Sequence, residues 1–329
     1  MWDRTGSMEI ATTDYHTAGE PFRIVVGGAP DLPGATVRER RSGAQQSPDA
    51  ERVRRLLCNE PRGHADMYGC FVVPPDDDGA DLGVLFWHKD GYSTACGHGT
   101  IALGAWAVES GRVPPGPGGV TEVTIDVPSG RVVATVRPES VTFRNVPSYV
   151  IARAVPAGDV LVDVSYGGAI YASVAAADLG LSVRRELVTD LIAAGRAVKG
   201  ALEGTDVARH PDDERLSGIY GTIIYEDLGD TQTGPRQRNV TVFADGEVDR
   251  SPCGSGTSAR MALLDADGRL DAGRVLTHES IVGTTFTGWV SERVGDAVVT
   301  EVGGQAFRTG EHRFVLDPRD PVGTGFVLR

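Results

Sequence analysis

The sequence predicts a mixed α and β protein of two similar halves that face each other across one cleft. Three observations support this fold class. A cysteine-led, glycine-rich segment occurs twice, a helix-period apolar pattern follows each copy, and β-branched runs between turn residues fill much of the rest. With 329 residues and 40% hydrophobic content, the chain is long enough for two domains with sizeable cores.

The internal repeat is the most informative feature of the sequence. Residues 96–105, CGHGTIALGA, return as residues 253–262, CGSGTSARMA, and the match persists to positions 111–112 against 268–269. The offset is 157 positions (253 minus 96), and eight positions are identical in register. Only two copies occur, which favours two related domains over a solenoid of several stacked units.

Secondary structure is predicted from the same patterns. Each copy of the repeat indicates a loop, a cysteine at the start of a helix, and a helix that ends near a glycine. Further helices are predicted at 48–58, where Ser47-Pro48 provides an N-cap and a proline at the first helical position, and at about 185–203. β-Branched runs predict strands at 123–127, 132–136, 160–164 and 298–302.

We expect two domains of similar size. Residues 1–155 would form the N-terminal half with Cys96, and residues 156–329 the C-terminal half with Cys253. Turn signals around Pro147 and at 155–158 predict a linker within 146–158. The last strand is a candidate to return to the first domain.

Charge and composition argue against several classes of partner and cofactor. A net charge of −13 disfavours a nucleic-acid surface, which needs clustered Lys and Arg. No apolar signal segment follows the first eight residues, and no stretch approaches about 20 apolar residues, so we expect a soluble cytoplasmic protein without membrane partners. Lys89 and Lys199 are the only lysines, and neither lies in a glycine-rich phosphate-binding setting, which argues against pyridoxal phosphate.

The four cysteines fall into two pairs with different expected roles. They are too few and too scattered for a disulfide framework, so we expect reduced thiols. Cys58 and Cys70 are expected to be small buried apolar residues. Cys96 and Cys253 lie at predicted helix N-termini, where the positive end of the backbone dipole favours the thiolate and lowers its pKa toward neutrality.

The duplicated motif suits acid and base chemistry at one carbon atom. Glycines beside each cysteine let a ligand approach closely, and the unpaired N–H groups of a helix N-terminus suit a carboxylate. Two facing copies would place one thiol on each side of an amino acid α-carbon, one to remove the proton and the other to return it. The residues therefore predict two-base racemisation or epimerisation, with backbone N–H groups stabilising the carbanion-like transition state in a closed site.

At these residues the sequence resembles the proline racemase family, which also holds hydroxyproline 2-epimerases and trans-3-hydroxy-L-proline dehydratases. The likeness covers nearly the whole chain and includes HTAGEP at 16–21, NEPRGHADMYG at 59–69 and DRSPCG at 249–254. It implies the diaminopimelate-epimerase-like fold, in which two similar α/β domains hold the site between them. It also implies a small-molecule substrate and a reaction without a metal or an organic cofactor.

The resemblance further implies roles for individual residues. Cys96 and Cys253 match the acid and base pair, while His98 and Asp249 match positions that contact the amine side of the substrate. Backbone groups would hold the carboxylate at four positions, and two aromatic rings would sandwich the substrate ring. The four carboxylate-binding positions are Gly97, His98, Gly254 and Ser255, and the two aromatic residues are Tyr68 and Phe243.

Plainer interpretations of the same side chains stay open. The imidazole of His98 could lack a function of its own while the backbone at that position acts. Asp249 could simply cap a turn before Pro252. Tyr68 and Phe243, considered without the family, are equally consistent with core aromatics.

The dehydratase branch of the family is the main alternative activity. The stretch Gly91-Tyr92-Ser93 and the run 60–69 look closest to that branch, in which the second cysteine is typically threonine. Dehydration needs one base for the α-proton and then loses the 3-hydroxyl, so the thiol of Cys253 favours inversion instead. Dehydration that starts at Cys96 stays open, because a cysteine can also protonate a leaving hydroxyl.

Three other classes fit the sequence less well. A Cys/His hydrolase would pair Cys96 with a histidine base, but His98 follows by only two residues, and i,i+2 side chains on a helix do not face each other. Zinc-site spacings such as Cys-x-x-Cys are lacking. A non-catalytic proline-binding protein on the same fold is the third. The sequence does not distinguish proline from its hydroxylated derivatives, and a homodimer is one of the open oligomeric states.

Overall fold

The computed structural model describes residues 8–271 and 273–328, and residues 1–7, on which part of the signal-segment expectation rests, lie outside it. Five α-helices are present within this range: α1 Val37–Gln46, α2 Pro48–Cys58, α3 Gly97–Glu109, α4 Val188–Leu202 and α5 Gly254–Ala266. The strands are β1 Met8–Thr17, β2 Glu20–Gly27, β3 Gly69–Val73, β4 Leu82–His88, β5 Gly91–Tyr92, β6 Thr121–Val127, β7 Gly130–Arg137, β8 Ser140–Arg144, β9 Tyr149–Ala157, β10 Val160–Tyr166, β11 Ile170–Ala175, β12 Ile219–Asp230, β13 Pro235–Phe243, β14 Glu247–Asp249, β15 Leu276–Ser280, β16 Thr285–Val294, β17 Ala297–Gly304 and β18 Ala306–Leu316.

The strands form two groups with the same pairing pattern. In the first group the neighbours run β18-β1-β2-β3-β4-β6-β7-β8, and β5 pairs with β4. In the second they run β9-β10-β11-β12-β13-β15-β16-β17, and β14 pairs with β13. Only the third and fifth pairs of each series are parallel. The repeat seen in the sequence thus extends to the topology of both groups.

One helix of the cysteine repeat packs against each strand group. Helix α3 contacts β1, β2, β6, β7, β8 and β18, while α5 contacts β9, β10, β11, β16 and β17. Residues 97–107 and 254–264 of these helices are buried along their whole length. A helix that is buried on all sides has little need of an amphipathic stripe, and small residues, mainly Gly and Ala, recur along both helices.

The two groups meet along the antiparallel pair β8–β17. The chain passes from the first group to the second between β8 and β9, and Ser148 forms a bridge to Val298 in this connection. It returns after β17, because β18 pairs with β1 along ten residue pairs, from Met8↔Leu316 to Thr17↔Ala306. The last strand therefore lies in the first group.

Most predicted elements are confirmed, and the connection between the two strand groups, residues 145–148, overlaps the start of the predicted linker. Helix α2 spans the predicted 48–58, with Ser47 Oγ accepting from Ala50 N, and the predicted strands correspond to β6, β7, β10 and β17. The helix predicted at about 185–203 begins at Val188 after a 3₁₀ turn, Arg185–Leu187. Strand β9 occupies 149–157, so the predicted boundary after residue 155 falls inside a strand. The division into two domains stays a prediction.

No helix in the described part of the chain is both long enough and apolar enough to cross a membrane.

Candidate active site

The two repeated cysteines meet where the N-termini of α3 and α5 pack together. Cys96 is the N-cap of α3 and Cys253 the N-cap of α5. A Cβ atom added to Gly97 would lie 2.5 Å from the Gly254 Cα, so the two helix ends touch backbone to backbone. Only glycine permits this approach, which explains the glycine after each cysteine.

Each thiol accepts a hydrogen bond from its own helix. Gly99 N donates to Cys96 Sγ over 3.2 Å, and Gly256 N donates to Cys253 Sγ over 3.4 Å. The first N–H groups of an α-helix have no acceptor within the helix. The amides of the predicted carboxylate-binding positions lie in these first turns, at 97–98 and 254–255.

Burial acts against the thiolate that the sequence predicts. Cys96 is 4% and Cys253 6% exposed. Desolvation raises the pKa of both thiols well above the usual value, nearby Asp249 raises it further, and the glycine N–H bonds lower it only in part. The prediction of a lowered thiol pKa is therefore wrong, because burial outweighs the helix N-terminus.

His98 lies directly beside the first thiol. Its Nδ1 is 3.5 Å from Cys96 Sγ and 3.8 Å from Asp249 Oδ2. The expectation that Cys96 and His98 do not face each other is wrong, because Cys96 is an N-cap with extended φ and ψ of −155° and 102° and lies outside the helical periodicity. Burial lowers the pKa of His98 to about 3, so the imidazole is neutral at physiological pH.

Asp249 orders the segment before the second cysteine and also reaches toward His98. Its Oδ1 accepts from Ser251 N (2.8 Å) and Ser251 Oγ (2.7 Å). Burial raises the pKa of Asp249 to about 6, while the bonds from Ser251 oppose the shift. The turn-capping interpretation of Asp249 is thus correct for one oxygen, and the other oxygen faces the imidazole.

Aromatic rings line one side of the two helix ends. The Tyr68 ring lies 5.0 Å from the His98 ring, edge to face, and 5.8 Å from the Phe243 ring. The Tyr68 hydroxyl bonds to Ser93 Oγ and, over 2.9 Å, to the Tyr220 hydroxyl. Tyr220 in turn stacks on Phe243 with ring centroids 5.6 Å apart. The structure thus brings both predicted aromatic residues to the site.

Sequence reasoning missed three residues that lie at the site. The Tyr171 hydroxyl is 2.7 Å from Ser255 Oγ and 3.8 Å from Cys253 Sγ. Tyr220 binds Tyr68 as described above. Glu20 is wholly buried and accepts from Arg250 N over 2.7 Å. Glu20 belongs to the HTAGEP segment, so a signal existed, whereas the two tyrosines stand alone in strand patterns.

One group within the described residues has metal-ligand spacing: His88, Asp90 and Glu247, with ligand atoms within 4.8 Å of one another. Lys89 Nζ lies 2.7 Å from Asp90 Oδ2 and 4.0 Å from Glu247 Oε1. The ammonium group thus already provides a positive charge there, and we assign no metal to this group.

Comparison with known proteins identifies relatives over the full length. A family model described as Proline racemase matches residues 12–327. The trans-3-hydroxy-L-proline dehydratase of Bacillus cereus is 43% identical over 330 residues, covering 96% of this chain and 97% of the relative. The enzyme of the same name from Homo sapiens is 42% identical over 342 residues, covering 98% of this chain and 96% of the relative.

Solved structures show the same fold. A probable proline racemase from Agrobacterium radiobacter, with bound carbonate, matches with a TM-score of 0.88 at 30% identity and covers 97% of this chain and 96% of its own. A hydroxyproline epimerase from Agrobacterium vitis, with bound trans-4-hydroxy-L-proline, matches with a TM-score of 0.87 at 30% identity. The match covers 98% of this chain and 96% of the epimerase chain. The predicted diaminopimelate-epimerase-like fold is confirmed. On sequence and structure alike, the chain belongs to the proline racemase family of enzymes.

Proposed function

We propose that the protein inverts the α-carbon of proline or a hydroxyproline, with Cys96 and Cys253 as its acid and base. One observation carries this proposal: two thiols cap two helices whose N-termini touch at Gly97 and Gly254. The roles assigned to individual residues below are part of the same proposal.

The substrate carboxylate would lie against the helix N-termini. Backbone N–H groups at Gly97, His98, Gly254 and Ser255 have no acceptor within their helices and would donate to its oxygens. As the α-proton leaves, negative charge grows on the carboxylate, and these donors then bind it more strongly. Fixed donors in a water-free site stabilise such a transition state without having to reorganise.

The amine would lie near His98 and Asp249. Neutral His98 offers a nitrogen lone pair, and ionised Asp249 offers a negative charge, so both favour an ammonium group. Tyr68 and Phe243 would pack on the ring carbons, which need an apolar surface.

Proton transfer would run between the thiols. One thiolate takes the α-proton, the C–H electron pair passes into the carboxylate, and the opposite thiol gives its proton to the other face. The enzyme is left with the two protonation states exchanged, so the reverse reaction starts from the product. A bound ammonium beside the sulfur atoms would favour the thiolate and offset part of the burial effect.

A second candidate function is the dehydration of trans-3-hydroxy-L-proline, which is favoured by the sequence identities to known proteins. Relatives named trans-3-hydroxy-L-proline dehydratase are 42–45% identical to this chain, against 30% for the racemase and epimerase structures. Here Cys96 would take the α-proton, the 3-hydroxyl would leave with a proton as water, and the resulting enamine would tautomerise to a ketimine. The thiol of Cys253 would then be the acid that protonates the hydroxyl.

Incubation with each candidate substrate in D₂O tests both proposals. L-Proline, trans-4-hydroxy-L-proline and trans-3-hydroxy-L-proline are followed by NMR for α-deuterium and ketimine, and by optical rotation for inversion. We expect an α-deuterated, inverted product from at least one of them. Cys96→Ser and Cys253→Ser should each lower inversion by at least about 100-fold.

Cys70→Ser serves as the matched control, because Cys70 is a buried cysteine of β3 and does not cap either of the two helices. Full inversion by Cys253→Ser would contradict the two-thiol proposal. Ketimine formed from trans-3-hydroxy-L-proline without inversion of any substrate would establish the dehydratase instead.

The cytoplasmic location, the lack of nucleic-acid and membrane partners, and the homodimer stay predictions.

A further inference from the structure

A hydrogen bond joins the two strand groups next to the second thiol. Glu20 begins β2 in the first group, after a tight turn in which Ala18 and Gly19 have φ values of 52° and 97°. Its Oε2 accepts from Arg250 N over 2.7 Å. Arg250 lies in the second half of the chain, three residues before Cys253, so this bond ties the segment that carries one thiol to the group that carries the other.

The segment around Cys253 needs support, because its backbone is strained. Cys253 has φ 65° and ψ 109°, whereas its counterpart Cys96 has the relaxed extended values −155° and 102°. A residue with a side chain adopts such a sparsely populated conformation only if its surroundings enforce it. The two thiols are therefore not equivalent, and only the second must be held in place.

A relay of hydrogen bonds provides that support. Asp249 Oδ1 accepts from Ser251 N and Oγ, and Ser251 Oγ accepts from Cys253 N over 3.0 Å. These bonds fix the shape of the segment within the second half. Asp66 reaches the same stretch from the first half, at Val248 N, five residues before Cys253, and at the Arg250 side chain. Asn239 Nδ2 also donates to Pro252 O over 3.1 Å, but from within the second half, so among these contacts Glu20 is the first-half residue that binds the backbone nearest to Cys253 in sequence.

The surroundings of Glu20 suit a neutral hydrogen-bonding group. Its side chain is 0% exposed, and its Oε1 has no hydrogen-bond partner among the described residues. Burial and the neighbouring Asp249 and Asp66 raise the pKa of Glu20 well above its usual value, and Arg250 offsets this only in part. A protonated carboxyl group here can be replaced by an amide of the same shape.

We propose that Glu20 is a positioning residue, which holds Cys253 opposite Cys96 through the Arg250 amide. This inference rests on the proposed two-thiol inversion. It predicts that the length and acceptor oxygen of the side chain matter and that its charge does not. It also predicts a one-sided defect, because Glu20 would act through only one of the two thiols.

The experiment measures α-proton exchange in D₂O from each enantiomer of the active substrate separately. Cys253→Ser identifies the enantiomer whose α-proton that thiol removes, and Cys96→Ser identifies the other. Glu20→Ala and Glu20→Asp should lower kcat for the Cys253-dependent enantiomer by at least about 10-fold more than for the other, with KM within about 3-fold. Glu20→Gln should stay within about 3-fold of the native enzyme for both.

Glu109→Ala is the control, because Glu109 accepts from the Tyr15 hydroxyl near the far end of α3 and should leave both exchange rates unchanged. Glu20→Asp keeps the test decisive if the alanine variant does not fold, since the shorter side chain withdraws its oxygen from Arg250 N. Equal loss for both enantiomers, native rates in Glu20→Asp, or a Glu20→Gln variant as slow as Glu20→Asp would each overturn the inference. Full activity in both cysteine variants would instead refute the two-thiol inversion itself.

Discussion

At the scale of single residues, the site depends on a balance between burial and local hydrogen bonds. The thiols of Cys96 and Cys253 each accept one N–H bond from a helix, which lowers the thiol pKa, but they lose contact with water, which raises it. The effect of lost hydration is the larger one, so the pKa of both thiols is raised. Burial therefore favours the protonated form of both thiols, and a thiol is less reactive toward oxidants than a thiolate. One thiol must then lose its proton to solvent as the substrate binds, and the substrate ammonium favours the thiolate that remains.

Asp249 provides a pH-dependent test of the amine side. Burial raises the pKa of Asp249 to about 6, so the carboxylate is charged above that pH and becomes neutral as the pH falls through it. A neutral Asp249 loses its attraction for the substrate ammonium, so KM should rise as the pH falls below about 6. Steady-state kinetics between about pH 5 and about pH 8 measure this change.

Asp249→Asn provides the matched comparison, because the amide oxygen can still accept from Ser251. Its KM should be raised throughout and should no longer change near pH 6. A native enzyme whose KM is constant across this window would show that Asp249 does not contact the amine.

At the scale of elements, the contact between two helix N-termini sets the spacing of the thiols. Gly97→Ala would place a Cβ atom 2.5 Å from the Gly254 Cα, and a backbone atom cannot move aside as a flexible side chain does. The helices must separate, and a shift of about 1 Å at reacting groups costs about 100-fold in rate. We expect Gly97→Ala to lower kcat by about 100-fold and to lower the melting temperature as well.

Gly200→Ala provides the control for this prediction. Gly200 lies in α4, and a Cβ atom there would meet nothing within 4 Å. Alanine at an open helix position should stabilise the protein by about 0.5–1 kcal/mol without changing kcat. Native kcat in Gly97→Ala would show that the approach of the two helices does not set the thiol geometry.

Local sequence patterns predicted the helices and strands well, and the side-chain contacts within the site less well. The repeat located both cysteine-capped helices, and Ser47-Pro48 located the start of α2, because caps and periodicity are properties of short segments. The contact of His98 with Cys96 was mispredicted, since helical periodicity does not apply to an N-cap. Tyr171 and Tyr220 reach the site only through strand pairing in the second group, which no short segment encodes.

At the scale of the whole molecule, the return of β18 links the two strand groups. The chain leaves the first group after β8, forms the second, and then adds β18 to β1. The β8–β17 pair continues one group directly into the other. Neither group can unfold without disturbing a strand that is joined to the other.

Thermal unfolding should therefore be a single cooperative transition. Differential scanning calorimetry measures this, with a calorimetric enthalpy equal to the van't Hoff enthalpy as the criterion. Two separated transitions would show that the groups are independent units despite β18 and the β8–β17 pair.

The proposed inversion requires that two thiols approach one carbon atom from opposite faces. A crystal structure with pyrrole-2-carboxylate, a planar ring acid that mimics the carbanion-like state, tests this most directly. We expect the Sγ atoms of Cys96 and Cys253 to lie on opposite faces of the ring, each within about 4 Å of the carbon that bears the carboxylate. A complex with both sulfur atoms on one face, or with either one turned away from that carbon, would contradict it.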